Sequence, residues 1–338
     1  MNRAYLKAGL VALCSVTLGV ILFSLPFLLI KSIQSEQASS ALHEQFPVTV
    51  DPRNKVIVEN DQVNALFANT ASPLQAAVGN VSSVFKSLFE WIAISIVDAP
   101  WYQSVAAVTV GDTRFVSITP GMRKEQAANA FANALGWDTI EKKQFMTVTG
   151  DSSLPFSEGS FSPGVYAVTA DATPSEAQAL VNERFTGDIL SHYGTTTAEI
   201  VPLTQALTIA SLIEREAGGL DDMRLISGII WNRLFINMNL QIDATLQYAR
   251  ANTAAAKSWW PAARPADRYL KSPYNTYQHP GLPPAPIANP SVASVLAALN
   301  PKSTSCLFYF HDAQRQFHCS DTYAGHVALL KQYYGRGK

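Results

Sequence analysis

The sequence predicts an α+β protein: an N-terminal transmembrane helix followed by a mixed helix/strand extracytoplasmic body. Three observations carry this. Ala8–Ile30 contains no charged residue over 23 positions, long enough to cross a bilayer as a helix. Leu203–Gly219 repeats its apolar residues at helical spacing, whereas Ala106–Ile118 and Asn237–Asp243 alternate at strand spacing. Segments of both kinds recur along the chain, so neither an all-α nor an all-β body accounts for it.

The orientation follows from charge. Arg3 and Lys7 precede the apolar run, and Lys31 with Glu36 follows it, which favours a cytoplasmic N-terminus and an extracytoplasmic body. The run exceeds the ~7–15 residues of a cleavable signal core, and no clear small-residue cleavage site follows it. A retained anchor is therefore expected, with a long cleaved signal peptide as the competing reading. The 338 residues are 48% hydrophobic, enough for one large domain or two ordinary ones. A net charge of −1 points to no nucleic-acid partner.

After a polar linker, Pro47–Val58 reads as a hairpin around Asp51–Pro52. Asp61–Thr70 is a candidate short helix. Val81–Val97 is apolar except for Lys86 and Glu90, an i,i+4 pair. It reads as a buried core helix or as a helix on a membrane surface, with Trp91, Trp101 and Tyr102 at the interface. Thr119–Gly121 turns into a helix over Met122–Leu135, and Glu141–Thr147 suggests a further short element. Glu158–Tyr166 is turn-rich and leads to a short strand. Thr173–Pro174–Ser175–Glu176 has the form of a helix start. That helix is expected to reach about Tyr193, followed by a Gly194–Thr197 linker.

In the Leu203–Gly219 helix, Leu203, Leu207, Ala210, Ile213 and Ala217 step by 4, 3, 3 and 4, one buried face. Gly218 and Gly219 stop it, and Asp221 and Asp222 are candidate caps for the next helix, Asp222–Phe235. Glu214 falls inside the apolar stripe. One reading is a glutamate whose stem is buried and whose head reaches water. The other is a carboxyl held among apolar groups, hence hard to ionise and suited to general-acid work. Arg215 and Glu216 are expected on the mixed face with Gln205, Thr208 and Leu212.

Asn237–Asp243 predicts a half-buried strand: Met238, Leu240 and Ile242 on one face, and Asn239, Gln241 and Asp243 on the other. The polar row is either the wet side of a sheet or a sugar-binding wall. Six prolines fall in the 18 residues from Pro273. The interleaved Tyr274, Asn275, Tyr277, Leu282 and Ile287 favour a rigid, shaped loop over a disordered linker. A helix over Ser291–Leu299, a strand over Cys306–Phe310, a hairpin and a helix over Tyr323–Tyr334 complete the chain. Cys14 lies in the apolar run. Cys306 and Cys319 are a candidate disulfide closing the hairpin, although spacing alone does not fix the geometry a bridge needs. His311, His318 and His326 match no tight metal-ligand spacing, and no glycine-rich phosphate loop is present, so no metal or cofactor is expected.

TIASLIEREAG, WNRL, MNLQIDAT, SPYNTYQHPGLPPAPIANP, LFYF and the terminal TYAGH together resemble the YceG-like family of endolytic murein transglycosylases. The resemblance covers about Leu203–Tyr334 and is weaker upstream, in TPGM and EGSFSPGVY. It implies the following expectations. Residues 1–31 form a cytoplasmic tip and signal-anchor, 32–113 a linker and membrane-proximal region, and 114–338 the catalytic domain. The first glutamate of the helix motif is catalytic, which maps onto Glu214. Gln241, Asp243, Asn232, Tyr274, Asn275 and Thr276 line the substrate cleft. The substrate is the peptidoglycan glycan strand, cut between N-acetylmuramic acid and N-acetylglucosamine. The muramic acid's own 6-hydroxyl attacks, which leaves a 1,6-anhydro end. The enzyme sits on the cytoplasmic membrane, meets peptidoglycan synthases and ends nascent strands. Two other classes stay open: a glycoside hydrolase using Asp243 or Glu158 as second carboxylate, and a non-catalytic, membrane-anchored glycan-binding protein. The sequence departs from the family at Ala244, where proline is usual, and at Ala285 and Ser291, where glycine is usual. The family's His-x-Phe is replaced by Phe317–His318–Cys319, and no LysM-like subdomain is recognisable in Val48–Thr113.

Overall fold

The structure is a computed structural model that describes residues 45–70, 112–147, 157–253 and 258–335. The expected membrane span, the Val81–Val97 helix and residues 106–111 of the Ala106–Ile118 run lie outside the described residues. What is described is a mixed α+β body with three separate two-stranded antiparallel sheets.

β1 (Val50–Asp51) and β2 (Val56–Ile57) pair as the expected hairpin, with the Asp51 carboxylate accepting from the Arg53 and Asn54 N–H groups in the turn. α1 spans Asp61–Thr70. β3 (Thr113–Ile118) pairs along its whole length with β4 (Gly164–Thr169). Between them run α2 (Lys124–Leu135) and α3 (Thr139–Met146). Asp138 caps α3 by accepting from the Ile140 and Glu141 N–H groups, and Glu141 reaches back to Asp138. These elements, with the first half of α4 (Pro174–Asp188), enclose a core of Val116, Ile118, Phe131, Phe145, Phe161, Tyr166 and Val181. Each fully buried aromatic or aliphatic side chain there contributes about 1.5–3 kcal/mol. α4 starts as expected: Thr173 and Glu176 form a reciprocal box, and Pro174 occupies the first turn.

The second half of α4, through Phe185 and Ile189, enters a larger core. Where a Gly194–Thr197 linker is expected, a short helix, α5 (Thr195–Ile200), forms. α6 (Leu203–Glu216) is the axis of this core. Every residue from Ala206 to Ile213 is buried, so Thr208 and Leu212 lie inside, and the mixed face expected from spacing does not exist. α7 (Leu220–Phe235), α8 (Asp243–Ala251) and α9 (Val292–Leu299) pack around it. Buried Trp231 on α7 donates to the Ala298 carbonyl of α9 at 2.9 Å.

The Asn237–Asp243 strand is a correction. Asn237 (φ 56°) and Gln241 (φ 49°) are both left-handed, a conformation that breaks a β ladder, and Asp243 is already the first residue of α8. β5 (Phe308–His311) and β6 (Phe317–Ser320) form a hairpin bridged by a Cys306–Cys319 disulfide. α10 (Tyr323–Tyr334), capped by Thr322, packs on it.

Candidate active site

Glu214 lies in the last turn of α6, whose C-terminal end meets the N-terminus of α9. Its Oε2 accepts from the Ser291 N–H at 2.9 Å, the Ser291 hydroxyl at 2.6 Å and the Ser294 hydroxyl at 2.7 Å. Ser291 is also the N-cap of α9, its Oγ accepting from the Ser294 N–H at 3.2 Å. Three donors on one oxygen fix the carboxyl in orientation. The other oxygen, Oε1, has no hydrogen-bond partner among the described residues. The apolar surroundings expected from helical period are therefore absent. Glu214 sits in a polar cradle supplied from 77 and 80 residues further along the chain. Ser291 stands where the family usually has glycine, so one of the three donors comes from a departure from the family pattern.

The turn Thr119–Met122 closes over this point. Gly121 has φ +78°, and a Cβ there would lie 3.1 Å from Arg215 Nη1 and 3.8 Å from Glu214 Cγ. The turn is held by a two-way backbone pairing of Gly121 and Met122 with Asn289. Asn289, fully buried, also accepts from the Gly159 and Phe161 N–H groups through Oδ1. One side chain thus ties the TPGM turn, the EGSF loop and the proline loop together beside Ser291.

Glu158 enters the same junction from the other side. It is 5% exposed and accepts from the Lys124 N–H at 2.7 Å. Burial, reinforced by Glu125, pushes its carboxyl up to about 8 despite that bond. Sealed from solvent, it is badly placed to activate water as a second carboxylate.

Glu216, expected on a mixed face, bridges three elements instead. It accepts from the Ala244 N–H of α8 at 3.3 Å and from the Tyr309 hydroxyl of β5 at 3.0 Å. Burial raises its pKa against the pull of those bonds. Proline, usual in the family at position 244, has no N–H to donate. α7 starts at Leu220 with Gly219 as its N-cap, so Asp222 lies inside the first turn instead of at the expected cap position; from there its carboxylate accepts from the Gly218 and Gly219 N–H groups and pairs with His311.

The other expected site residues divide. Gln241 is exposed with a left-handed backbone pinned by its N–H to the Thr276 carbonyl at 3.1 Å. Asp243 is exposed and accepts from the Tyr277 hydroxyl at 2.6 Å. Tyr274 is part-buried, its ring 4.8 Å from that of Tyr248. Asn232, Asn275 and Thr276 make hydrogen bonds within the protein. Asn232 donates to the Thr304 and Cys306 carbonyls. Asn275, fully buried, donates to the Arg268 and Leu270 carbonyls and accepts from the Tyr277 N–H. Thr276 is buried against the Ile242 N–H and the Thr245 hydroxyl. Asn275 and Thr276 shape the loop that carries Tyr277 and holds the Gln241 backbone, whereas Asn232 ties α7 to the segment before β5. His318 pairs with Asp312 at 2.8 Å.

Fold and site together define an α+β protein whose central helix delivers one cradled glutamate to a junction of three loops. The sequence model of the YceG-like family matches residues 98–332, and the chain belongs to that family. It is 28% identical over 158 residues to the endolytic murein transglycosylase of Streptococcus pneumoniae serotype 2 (strain D39), covering 46% of this chain and 28% of that protein. It is 35% identical over 133 residues to the endolytic murein transglycosylase of Bacillus subtilis (strain 168), covering 39% and 35% respectively. The aligned part therefore spans about a third of those relatives. A crystal structure of a YceG-like protein from Listeria monocytogenes superposes with a TM-score of 0.53 at 25% identity, covering 67% of this chain and 80% of that one.

Proposed function

We propose that the protein is an endolytic peptidoglycan transglycosylase, a lyase that cuts the glycan strand between N-acetylmuramic acid and N-acetylglucosamine. The observation that carries this reading is Glu214, with Oε2 held by three donors and Oε1 left unpartnered in a chain of this family.

The chemistry needs one carboxyl group used twice. Glu214 gives its proton to the glycosidic oxygen as the bond from C1 breaks. The resulting carboxylate takes the proton of the muramic acid 6-hydroxyl as that oxygen bonds to C1. The 1,6-anhydro ring closes, the acid is regenerated and no water is consumed. Gln241, Asp243, Tyr274 and Tyr277 orient the sugars. The buried state of Glu158 supports this route over a hydrolase that would use it as second carboxylate.

The apolar run over residues 8–30 anchors the chain in the cytoplasmic membrane with its N-terminus inside and its body outside. That placement suits an enzyme that ends nascent strands beside peptidoglycan synthases. The test is digestion of purified glycan strands by the 338-residue chain in detergent, beside Glu214→Gln. Anhydro-ended products from the wild type alone are expected. Reducing ends would indicate a hydrolase, and products from both proteins would remove Glu214 from the chemistry.

A further inference from the structure

We infer that Arg215 is an anion-recognition residue of the active site, reading a carboxylate on the peptide stem that muramic acid carries; this rests on the transglycosylase reading above. The first observation is what Arg215 lacks. Its Nε is buried with no hydrogen-bond partner, and the guanidinium makes no hydrogen bond or ion pair with any described residue. Arg123 and Arg224 also carry buried nitrogens without a partner, but each has another nitrogen of the same guanidinium bonded to a protein acceptor. Arg123 donates to Asn252, Arg224 to the Asn300 carbonyl and Asn64, and Arg233 to the Leu307 and Leu240 carbonyls. An unpaired buried guanidinium donor is costly, and burial lowers its pKa against the pull of Glu216 and Glu214.

The second observation is that the group is held in place. Its Cζ lies 3.9 Å from the centre of the Trp260 ring, and Trp260 is itself tied through Nε1 to Gln126 of α2 at 3.2 Å. Stacking covers a flat face and leaves the in-plane fork of N–H donors intact, the geometry that matches a carboxylate with two parallel bonds.

Location is the third. Arg215 Nη1 and Glu214 Cγ border the same point at Gly121. The sugar whose C1 reacts at Glu214 carries its stem on the same ring, so the stem leaves the reacting sugar on the border that Arg215 shares with Glu214. Nearby Glu214 Oε2 is held by the Ser291–Ser294 cradle and Glu216 by Tyr309 with Ala244, and neither carboxyl pairs with Arg215. Arg215 is therefore a positive group with no anionic partner among the described residues, on the border of the Glu214 site.

The experiment uses the full chain in detergent as wild type, Arg215→Met and Arg215→Lys. It measures kcat/KM on three substrates: strands with free stem carboxylates, strands with amidated stems, and strands stripped of stems. The wild type should prefer the carboxylate-bearing strands. In Arg215→Met the ratio of carboxylate-bearing to amidated strands should fall about tenfold or more, mainly through KM. Arg215→Lys keeps the charge without the fork and should fall between; it also serves if the Met variant melts early. A wild-type ratio near one, or a loss in Arg215→Met that is equal on all three substrates, would overturn the inference and leave Arg215 a structural or Glu214-tuning group. Absence of anhydro ends from the wild type on every substrate would instead fail the transglycosylase reading, and this inference with it.

Discussion

Ser291 has two jobs that two substitutions separate. Its hydroxyl donates to Glu214 Oε2 at 2.6 Å and caps α9 by accepting from the Ser294 N–H at 3.2 Å. Ser291→Ala loses both. Loss of an N-cap costs about 1 kcal/mol, and loss of the hydrogen bond to Oε2 adds about 1 kcal/mol. A total near ~2 kcal/mol corresponds to a fall in Tm of about 4–8 °C for a domain of this size. Ser291→Gly loses the same bond to Glu214, but glycine caps a helix to within a few tenths of a kcal/mol of serine. The glycine variant should therefore be the more stable of the two by roughly 0.5–1 kcal/mol. Turnover should not follow that order. Both variants take one of three donors from the same oxygen of Glu214 and loosen its orientation equally, so both should lose about tenfold in kcat. Tm by calorimetry and kcat by release of anhydro ends check the two effects separately. If Ser291→Gly turns over like wild type while Ser291→Ala does not, activity follows helix stability, and the cradle argument is wrong.

Glu158 sets a pH dependence of stability. Its carboxyl ionises at about 8 in the folded protein, raised from an ordinary 4.5. Between those values the unfolded chain binds fewer protons, so stability should fall as pH rises through that window, by as much as a few kcal/mol. Glu158→Gln should flatten the curve, and urea midpoints at about pH 5 and pH 8 would read the difference; an unchanged slope would count against the buried acid. Cys306 and Cys319, 13 residues apart, close a short loop, so Cys306→Ala with Cys319→Ala should cost about 2–3 kcal/mol in the chain-entropy account. A Tm insensitive to reductant would contradict that. Tyr309→Phe leaves the buried Glu216 with one donor fewer and should destabilise by about 1–3 kcal/mol; denaturant unfolding that matches wild type would show the bond to be of little weight.

Elements made by local chemistry are legible in the sequence. The Thr173–Glu176 box starts α4, and Thr322 and Gly335 bound α10 where period and caps place it. Helical period also picks out Glu214. It misjudges the surroundings, because Ser291 and Ser294 arrive from another helix and no period on α6 can report them. The same limit hides Glu216, whose partners Ala244 and Tyr309 lie 28 and 93 residues away. Asn237–Asp243 alternates like a strand, yet its side-chain pattern says nothing of the left-handed backbone at Gln241, which the proline loop imposes through Thr276. Asn275 and Thr276 match family positions in sequence but are consumed in building that loop. Asn289 lies within the quoted proline-loop motif, but neither period nor spacing signals its role. Its importance lies in joining Gly159, Phe161 and Met122, three contacts with no local signature beyond an Asn before a proline.

The central claim is that one carboxyl, Glu214, serves as acid and then base while the substrate's own hydroxyl attacks. Digesting glycan strands in heavy-oxygen water and weighing the new ends tests this most directly. The account predicts anhydro ends lighter than reducing ends by one water, free of solvent label, and absent with Glu214→Gln. Reducing ends carrying one labelled oxygen would mean that water attacks, and the single-carboxylate account would have to be abandoned.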